Sequence, residues 1–384
     1  MEKIKDNILC WCKDLEQEAL QQAINLSEHP WLVGNVCLMP DCHAGVGMPI
    51  GGVVALDNAI SPNMIGVDIA CGMLAVKTSM TEIDTPSLKT VLGGIRKRIP
   101  VGKNHHKQEQ ACEELFCSSD WENTTVCRQE IKSAKCQLGT LGGGNHFIEI
   151  QKGNDGCIWF MIHSGSRNLG FRVAKHYNDI AREICIKWKQ EKIEKDRLAI
   201  IPADMEEAKN YIREHDICLS FAYHNRLHMA NVIKELINEV KPNVDYIEEI
   251  NIHHNYAALE HHYGRNVWVH RKGATLATED TTGIIPGSQG TSSYIVKGKG
   301  NPTSLNSCSH GAGRKMSRTK ARECLDIKSE QKFMDDKGIL HGLRHKDGLD
   351  EAPSAYKDID EVMKTQEDLV EILVKLEPLA VVKE

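Results

Sequence analysis

Apolar residues recur every three to four positions in three stretches of the chain, which is the spacing of a helix that buries one face. The first stretch runs from Leu15 to Ile24. The apolar positions of the other two are Val173, Tyr177, Ile180, Ala181, Ile184 and Trp188, and then Ala222, Leu227, Ala230, Ile233 and Ile237 in a helix that begins near Ala208. The pattern predicts three helices.

Short apolar runs broken by glycine fill much of the remaining chain and predict strands and tight turns. The segment "GVGMPIGGVVALDNAISPNMIGVDIACGMLAVKT" is of this kind, and so are the runs Ile158 to Ile162 and the one that ends at Ile252. Near the C-terminus a short helix precedes an alternating segment with apolar residues at Val370, Ile372, Val374 and Leu376. Helices and strands in this order indicate a mixed α+β fold.

The chain has 384 residues, a length that fits one elaborated domain or two. The stretch 190–205, within "KQEKIEKDRLAIIPADMEE", is rich in charge and contains a proline. It predicts a charged insert on the surface. We found no internal repeat or low-complexity tract in the sequence.

Composition indicates an ordinary globular protein, with 41% hydrophobic and 26% charged residues. The sequence contains no apolar run of the roughly 18 to 20 residues that span a bilayer, and the N-terminus lacks a signal peptide's apolar core. We therefore expect a cytoplasmic protein without a membrane partner. Its 14 cysteines are scattered, so most are predicted to be buried free thiols. The net charge of −6 restricts any polyanion to a local site.

Candidate metal ligands follow or precede several of the strand-like runs. Asp68 and Cys71 stand three apart in "GVDIACG", His146 follows three glycines in "GGGNHFIE", His163 opens "HSGSR", and His254 closes "NIHHN". Singly, each has a structural alternative, because a lone cysteine or histidine is more often a core residue. As a set, they could hold two divalent ions that share a thiolate. Ligand type allows Zn, Mn, Fe or Co.

The sequence does not decide the roles of several other polar residues. Asp41 and His43 lie in the glycine-rich "MPDCHAGVGMPIGG", which fits either a capped turn or a ligand site. His224 and His228 have the i, i+4 spacing of a helical zinc pair, but "HNRLH" lacks the Glu of HExxH, so an ordinary helix face is expected. The segment "PGSQGTSSY" is a weak candidate for a phosphate-binding loop.

His310 lies in "SCSHGAGRKMSR" between small residues, with no Asp or Glu within five positions. It could be a core residue, a metal ligand or a reactive group, and the sequence around it offers no base to activate the ring. Arg314 and Arg318 follow it, four residues apart. If both lie on one helix face, they can approach the same phosphate.

Taken together, the motifs resemble the signature blocks of the RtcB family of RNA ligases. In the order of the chain they are "PDCHAGVGMPIGG", "GVDIACG", "GGGNHFIE", "HSGSR", "HHN", "PGSQGTSSY", "SHGAGR", "EAPSAYKDID" and the terminal "VVK". The resemblance covers about residues 34 to 383. It implies a single RtcB-type α+β domain over residues 1–384, with mixed sheets and helices around a central cleft for metal and GTP.

The resemblance also implies the site residues. His310 would be the nucleophile that carries GMP, and Asp41 is assigned to catalysis with it. Two Mn²⁺ ions would be held by Asp68, Cys71, His146, His163 and His254. GTP would contact Asn145, His146, Phe147, Ile148, Glu149, His254, Asn255, Pro286, Gly287, Ser288, Gln289, Ser293, His310, Gly311, Ala312, Gly313 and Lys383. RNA phosphates would contact Arg167, Arg314 and Arg318.

The function that the resemblance implies is GTP-dependent joining of RNA ends that carry a 3′-phosphate or 2′,3′-cyclic phosphate to 5′-hydroxyl ends, in RNA repair or tRNA splicing. A monomer is expected, with an accessory activating or repair protein as a partner. The sequence is also compatible with two other functions. One is a metal-dependent phosphodiesterase that opens cyclic phosphates without ligation, and the other is an RNA-binding scaffold with a degenerate site.

Overall fold

The computed structural model describes residues 1–117 and 119–384. Its α-helices are α1 (Gln17–Ser27), α2 (Thr85–Arg98), α3 (Glu113–Phe116), α4 (Cys127–Gln137), α5 (Arg167–Lys187), α6 (Glu191–Lys195), α7 (Glu206–Val240), α8 (Arg318–Cys324), α9 (Ile327–Asp336) and α10 (Ile359–Lys364). The three helices predicted from periodicity correspond to α1, α5 and α7. No helix in the described ranges is both long and apolar enough to cross a membrane.

The strands complete an α+β fold, as predicted. They are β1 (Glu2–Lys5), β2 (Ile8–Cys10), β3 (Leu32–Val46), β4 (Met48–Leu56), β5 (Ala59–Ile60), β6 (Gly72–Thr78), β7 (Phe147–Gly153), β8 (Ile158–Ser164), β9 (Ile201–Pro202), β10 (Tyr246–His253), β11 (Asn255–His262), β12 (Arg265–Lys272), β13 (Ala274–Leu276), β14 (Thr282–Ile285), β15 (Ser293–Gly298), β16 (Ser307–Ser309) and β17 (Val370–Val382).

Two large sheets form the frame. One has the order β1-β2-β3-β4-β12-β11, and the other has the order β10-β6-β8-β7-β17-β15-β14. Strand β2 pairs with β3 in parallel, whereas the other neighbours in these two sheets are antiparallel. The chain passes from the second sheet to the first at His254, which lies between the end of β10 and the start of β11.

The central strands of the second sheet are buried on both faces, which explains their continuous apolar sequence. On β8, Phe160 and Ile162 pack with the helices α2 and α7, whereas Trp159 and Met161 pack into a separate cluster on the opposite face. A strand with two buried faces is held rigidly in register. This rigidity matters because β8 also carries His163.

The predicted charged insert at 190–205 is only half correct. Residues up to Arg197 carry the charge and include the short helix α6, but the apolar run Leu198 to Ile201 is at most 1% exposed. Strand β9 within this segment pairs with β5. The four apolar residues belong to the main core because they have a strand partner and an apolar surface to bury.

The alternation predicted for the C-terminal strand is interrupted by a bulge. In β17, Val374 pairs with Ile295, but Ile372 pairs with the next residue of β15, Val296, so Leu373 is extra. A bulge of one residue reverses which face the following side chains occupy. Ile372 is accordingly 49% exposed rather than buried.

A carboxylate from α7 fixes the start of α4. Glu214 is 1% exposed and accepts hydrogen bonds from the main-chain N–H groups of Thr125, Val126 and Cys127 and from the hydroxyl of Tyr177 on α5. The free N–H groups at a helix start favour a negative charge. Glu214 therefore joins three helices at one buried point.

We predict that Glu214→Ala lowers the free energy of unfolding by about 3 to 5 kcal/mol, because three buried donors and one half-buried donor lose their acceptor. Urea unfolding followed by circular dichroism measures the change. Glu206→Ala, at an exposed position in the first turn of the same helix, should change stability by less than about 0.5 kcal/mol. Equal stability of the two variants would contradict this role of Glu214.

Candidate active site

Five side chains of metal-ligand type converge between the two sheets. Cys71 Sγ lies 3.4 Å from His146 Nε2 and 3.2 Å from His163 Nε2. His163 Nε2 is 3.3 Å from His254 Nε2, and His146 Nε2 is 3.0 Å from Asp68 Oδ2. Two donors on one tetrahedral ion stand about 3.3 Å apart when each bond is about 2.0 to 2.1 Å. The donors already have the separations that bound ions require.

Strand pairing brings these residues together. His163 on β8 is opposite Met73 of β6 on one side and Phe147 of β7 on the other. Cys71 immediately precedes β6 and His146 immediately precedes β7, so both reach the same end of the sheet. The main-chain N–H of His254 donates to the carbonyl of Cys71 at 2.8 Å, which ties the corner between the sheets to this end.

The outer nitrogens of two histidines are fixed by backbone carbonyls. His146 Nδ1 is 2.8 Å from the oxygen of Leu141, and His163 Nδ1 is 3.1 Å from the oxygen of Asn145. A proton on each Nδ1 satisfies these contacts and leaves each Nε2 lone pair facing Cys71. Metal-binding histidines are held in this way.

The protonation states also fit a bound cation. Burial, with the neighbouring histidines adding to it, lowers the pKa of His163 and His254 well below the ordinary value, so both imidazoles are neutral. Burial, reinforced by Asp68, raises the pKa of the Cys71 thiol well above its ordinary value. A divalent cation is the group that would deprotonate this thiol. The predicted ligands therefore form a site whose chemistry fits a metal.

His310 follows β16 and faces a partner that lies 269 residues away in the sequence. Its Nδ1 is 2.6 Å from Asp41 Oδ2, and its main-chain N–H donates to the same oxygen at 3.1 Å. Asp41 is completely buried on β3. With Nδ1 facing the carboxylate, Nε2 is the ring nitrogen left for chemistry. The acid that the local sequence lacked is thus supplied by the first sheet.

Close packing holds this pair in place. The rings of His310 and His254 have centroids 4.7 Å apart, so the candidate nucleophile borders the candidate metal site. Gly313 has a φ of +71°, and a Cβ there would lie 2.2 Å from the oxygen of Asp41. Only glycine allows the loop after His310 to lie directly on the strand that carries Asp41.

A cavity of about 430 Å³ extends from the metal-type cluster past His310. Most of the residues predicted to contact nucleotide line it, namely Asn145, Phe147, Glu149, His254, Asn255, Pro286, Gly287, Ser288, Gln289, His310, Gly311, Ala312, Gly313 and Lys383. His146 lies at its metal end, in the ligand cluster. Ser293 lies behind the wall, where its hydroxyl accepts the N–H of Gly287 at 3.2 Å.

The predicted nucleotide contact of Ile148 is wrong. Ile148 is fully buried and packs with the helices α2 and α7, whereas its neighbours Phe147 and Glu149 line the cavity. Successive side chains of a strand point to opposite faces, so one residue of three must point away.

Glu149 is a residue of the cavity lining whose carboxyl group has a raised pKa. It is 2% exposed, and burial raises its pKa to about 8, although Lys383 and Gln151 oppose the shift. Gln151 donates to it at 2.8 Å. When ionised, such a carboxylate can accept two N–H bonds from a planar ligand.

The arginines after His310 do not share a helix face. Helix α8 begins at Arg318, whereas Arg314 pairs with Tyr356 in an isolated bridge outside the helix. The guanidinium of Arg314 makes internal contacts, including one with Glu351 at 3.2 Å, and its side chain is only 14% exposed. The predicted RNA contact therefore does not fit Arg314, because its donors already have partners. Arg318 is 47% exposed at the cavity rim and lies 3.3 Å from Glu351.

Arg167 begins α5 and lines a shallow groove beside the metal-type cluster, together with Asp68, His146, Phe171 and Arg318. Its guanidinium donates to the carbonyl of Gly102 at 3.0 Å and to the hydroxyl of Thr140 at 3.2 Å. Neither acceptor is a carboxylate, and the carboxylates of Asp68 and Glu384 interact with the Arg167 charge from nearby.

Sequence reasoning assigned no role to three residues that line the cavity. Lys272 donates to the carbonyls of Val46 at 2.6 Å and Asn63 at 3.2 Å, and burial lowers its pKa to about 7. Glu351 and Tyr356 come from "EAPSAYKDID", a block that was recognised without a role. Lys272 had no such signal, because a lysine in a strand resembles any edge lysine.

Comparison with known proteins identifies the family of the chain. The family model described as tRNA-splicing ligase RtcB matches residues 22–384. The RNA-splicing ligase RtcB of Escherichia coli strain K12 is 37% identical, over 97% of this chain and 96% of its own length. The tRNA-splicing ligase RtcB of Methanococcus maripaludis is 31% identical, over 97% of this chain and 92% of its own. The chain therefore belongs to the RtcB family of tRNA-splicing ligases.

Proposed function

We propose that this RtcB-family ligase joins RNA ends that carry a 3′-phosphate or a 2′,3′-cyclic phosphate to 5′-hydroxyl ends, through a covalent GMP adduct on His310. The observation that carries the proposal is the placement of His310. One nitrogen faces the buried carboxylate of Asp41 at 2.6 Å, and the ring borders His254 in the metal-type cluster. Nε2 is thereby oriented as a nucleophile.

In the first step, Nε2 of His310 attacks the α-phosphorus of GTP. An N–P bond forms, the bond to the β-phosphate oxygen breaks, and pyrophosphate leaves with the electron pair. The imidazole becomes positively charged as the bond forms. Asp41 stabilises this charge through Nδ1, as the carboxylate of a catalytic triad stabilises its histidine.

The RNA 3′-phosphate then attacks the phosphorus of the adduct, and the N–P bond breaks to return neutral His310. The product is an RNA end that carries GMP through a pyrophosphate link. Attack by the 5′-hydroxyl on the 3′-phosphorus forms the phosphodiester and expels GMP. A 2′,3′-cyclic phosphate must first be hydrolysed by water to a 3′-phosphate.

The cavity lining supports GTP as the nucleotide. Guanine presents adjacent N1–H and N2–H₂ donors, and ionised Glu149 offers two acceptor oxygens for them. Adenine has no such donor pair at this edge. Lys383 and Phe147 also line the cavity, where Lys383 Nζ lies 5.8 Å from the ring centroid of Phe147. The residues Pro286 to Gln289 form a further part of the lining.

Two Mn²⁺ ions would be held by Asp68, Cys71, His146, His163 and His254, with Cys71 shared between them. Their chemistry would be to offset negative charge on the reacting phosphate oxygens. The protein alone contributes the fixed imidazole tautomers and the thiol that these ions would ionise. Arg167 and Arg318 would bind RNA phosphates along the groove that opens beside Asp68.

A phosphodiesterase that opens cyclic phosphates without ligation would not need the pairing of His310 with Asp41. The structure contains this pairing, and the relatives described above are named ligases. We therefore favour the ligase. We further propose that it acts as a cytoplasmic monomer with an accessory activating or repair protein.

Incubation with Mn²⁺ and α-³²P-GTP should label the wild-type protein covalently, with an acid-labile and base-stable bond. His310→Ala should give no label, because it lacks the nucleophile. Asp41→Asn should slow labelling on the order of 100-fold, because the charge on the imidazole is no longer balanced. Gel autoradiography over time measures both effects.

The matched control is His261→Ala, which removes an exposed histidine and should label at the wild-type rate. Circular dichroism must show that each variant is folded. A label that survives His310→Ala would exclude this residue as the nucleophile, and a normal rate in Asp41→Asn would exclude the role of the carboxylate.

GTP affinity should rise with pH by about tenfold per unit below pH 8 and then level off. In the empty cavity Glu149 is protonated below its pKa of about 8, so guanine binding must release one proton. Glu149→Gln should bind GTP more weakly and lose this pH dependence. Isothermal titration calorimetry between pH 6.5 and 8.5 measures both. An unchanged pH profile in Glu149→Gln would rule out recognition of guanine by this carboxyl group.

A further inference from the structure

Two histidines on α7, His224 and His228, are not part of the catalytic cluster. They stand one helical turn apart, so their side chains share a face of the helix. Neither is freely exposed, because the side chain of His224 is 16% exposed and His228 is half-buried. The sequence predicted an ordinary helix face here, since "HNRLH" carries no glutamate between its histidines.

The structure supplies the missing carboxylate from another helix. Glu114 on α3 places Oε2 3.4 Å from His224 Nε2. This separation matches the roughly 3.3 Å expected between two donors on one tetrahedral ion. The pair has the same spacing as the donor pairs of the catalytic cluster, where Cys71 Sγ and His146 Nε2 are also 3.4 Å apart.

The other ring nitrogen of His224 is fixed in the manner of a metal ligand. Nδ1 lies 2.8 Å from the carbonyl oxygen of Ser220, one turn earlier on α7. A proton on Nδ1 satisfies this carbonyl and leaves the lone pair of Nε2 directed at Glu114. His146 and His163 are held by backbone carbonyls in the same way.

A third imidazole faces the pair from the loop before α3. His106 Nε2 is 3.4 Å from the oxygen of Gly139. A Cβ built on Gly139 would lie 3.5 Å from that nitrogen and 3.4 Å from Cβ of His228, so the His106 ring and the base of the His228 side chain both border Gly139.

We propose that His224, His228, His106 and Glu114 bind a divalent metal ion, Zn²⁺ by ligand chemistry, at a site separate from the catalytic cluster. Three imidazoles and one carboxylate are a ligand set that zinc prefers. Among the described residues, three donor atoms already converge only at Cys71, His146 and His163. At the new site His224 and Glu114 are in contact, the Glu114 side chain is 88% exposed, and His228 and His106 would complete the ligand set by a change of side-chain rotamer.

The position of the site assigns it a structural role. Asn225, between the two histidines on α7, accepts the N–H groups of Gly139 and Thr140 and donates to the carbonyl of Thr140. The same backbone segment continues to Leu141, whose carbonyl orients His146. An ion here would tie α3 and the loop of His106 to the part of α7 that supports the catalytic cluster.

The test is to count zinc in the full-length protein after removal of metal with EDTA, loading with Zn²⁺ and dialysis. Wild type should retain one more equivalent than Glu114→Gln, His224→Ala or His228→Ala. The control is His105→Ala, which removes the exposed histidine beside His106 and should retain as much zinc as wild type. The difference of one equivalent must persist in a Cys71→Ala background, which lacks the shared catalytic thiol.

Two further readouts separate loss of binding from loss of folding. Co²⁺ loaded in place of Zn²⁺ should give the intense visible absorption of a four-coordinate ion, reduced by one site in Glu114→Gln. Zn²⁺ should raise the melting temperature of wild type more than that of Glu114→Gln. Labelling of His310 by GTP with Mn²⁺ should be normal in Glu114→Gln. Equal zinc content and equal Co²⁺ spectra in wild type and Glu114→Gln would overturn the proposal.

Discussion

The register of three antiparallel strands is the constraint on which the rest of the site depends. His163 on β8 lies opposite Met73 and Phe147, and the residues just before the partner strands are the candidate metal ligands Cys71 and His146. A slip of one residue would turn His163 to the opposite face of the sheet. Burial of β8 on both faces prevents such a slip, because every apolar side chain would lose its neighbours.

The same burial explains why the protonation states of the cluster favour the binding of a cation. Within the protein alone, the imidazoles of His163 and His254 stay neutral and the pKa of the Cys71 thiol is raised. Burial raises the pKa of Asp68 but the hydrogen bond and charge of His146 outweigh it, so this carboxylate stays ionised. Metal binding must therefore expel the thiol proton, which couples metal affinity to pH.

The structure brings together the candidate metal ligands that the sequence indicated, whereas the sequence did not indicate the partners of His310 and His224, and the reason is physical. The candidate metal donors lie next to strands, and the apolar runs of those strands can be recognised in the sequence. Asp41 reaches His310 only because two sheets meet, and Glu114 reaches His224 only because α3 packs on α7, which no local pattern records. The predicted nucleotide contact of Ile148 and the predicted RNA contact of Arg314 do not fit the structure for a different reason. A motif names a block of residues, whereas strand alternation turns Ile148 away from the cavity, and existing contacts occupy the donors of Arg314 although it lines the cavity.

The positive charges around the cavity depend on one buried carboxylate. Glu351 is 5% exposed and lies within 3.3 Å of Arg314, Arg318 and Lys383. Burial raises its pKa, but Lys383, Tyr356 and the two arginines outweigh burial and lower it. One negative charge cannot neutralise three positive ones, so the wall keeps a net positive charge beside His310. This wall would attract phosphates. The carboxylate of Glu351 reduces the mutual repulsion of the three cations and so holds them together.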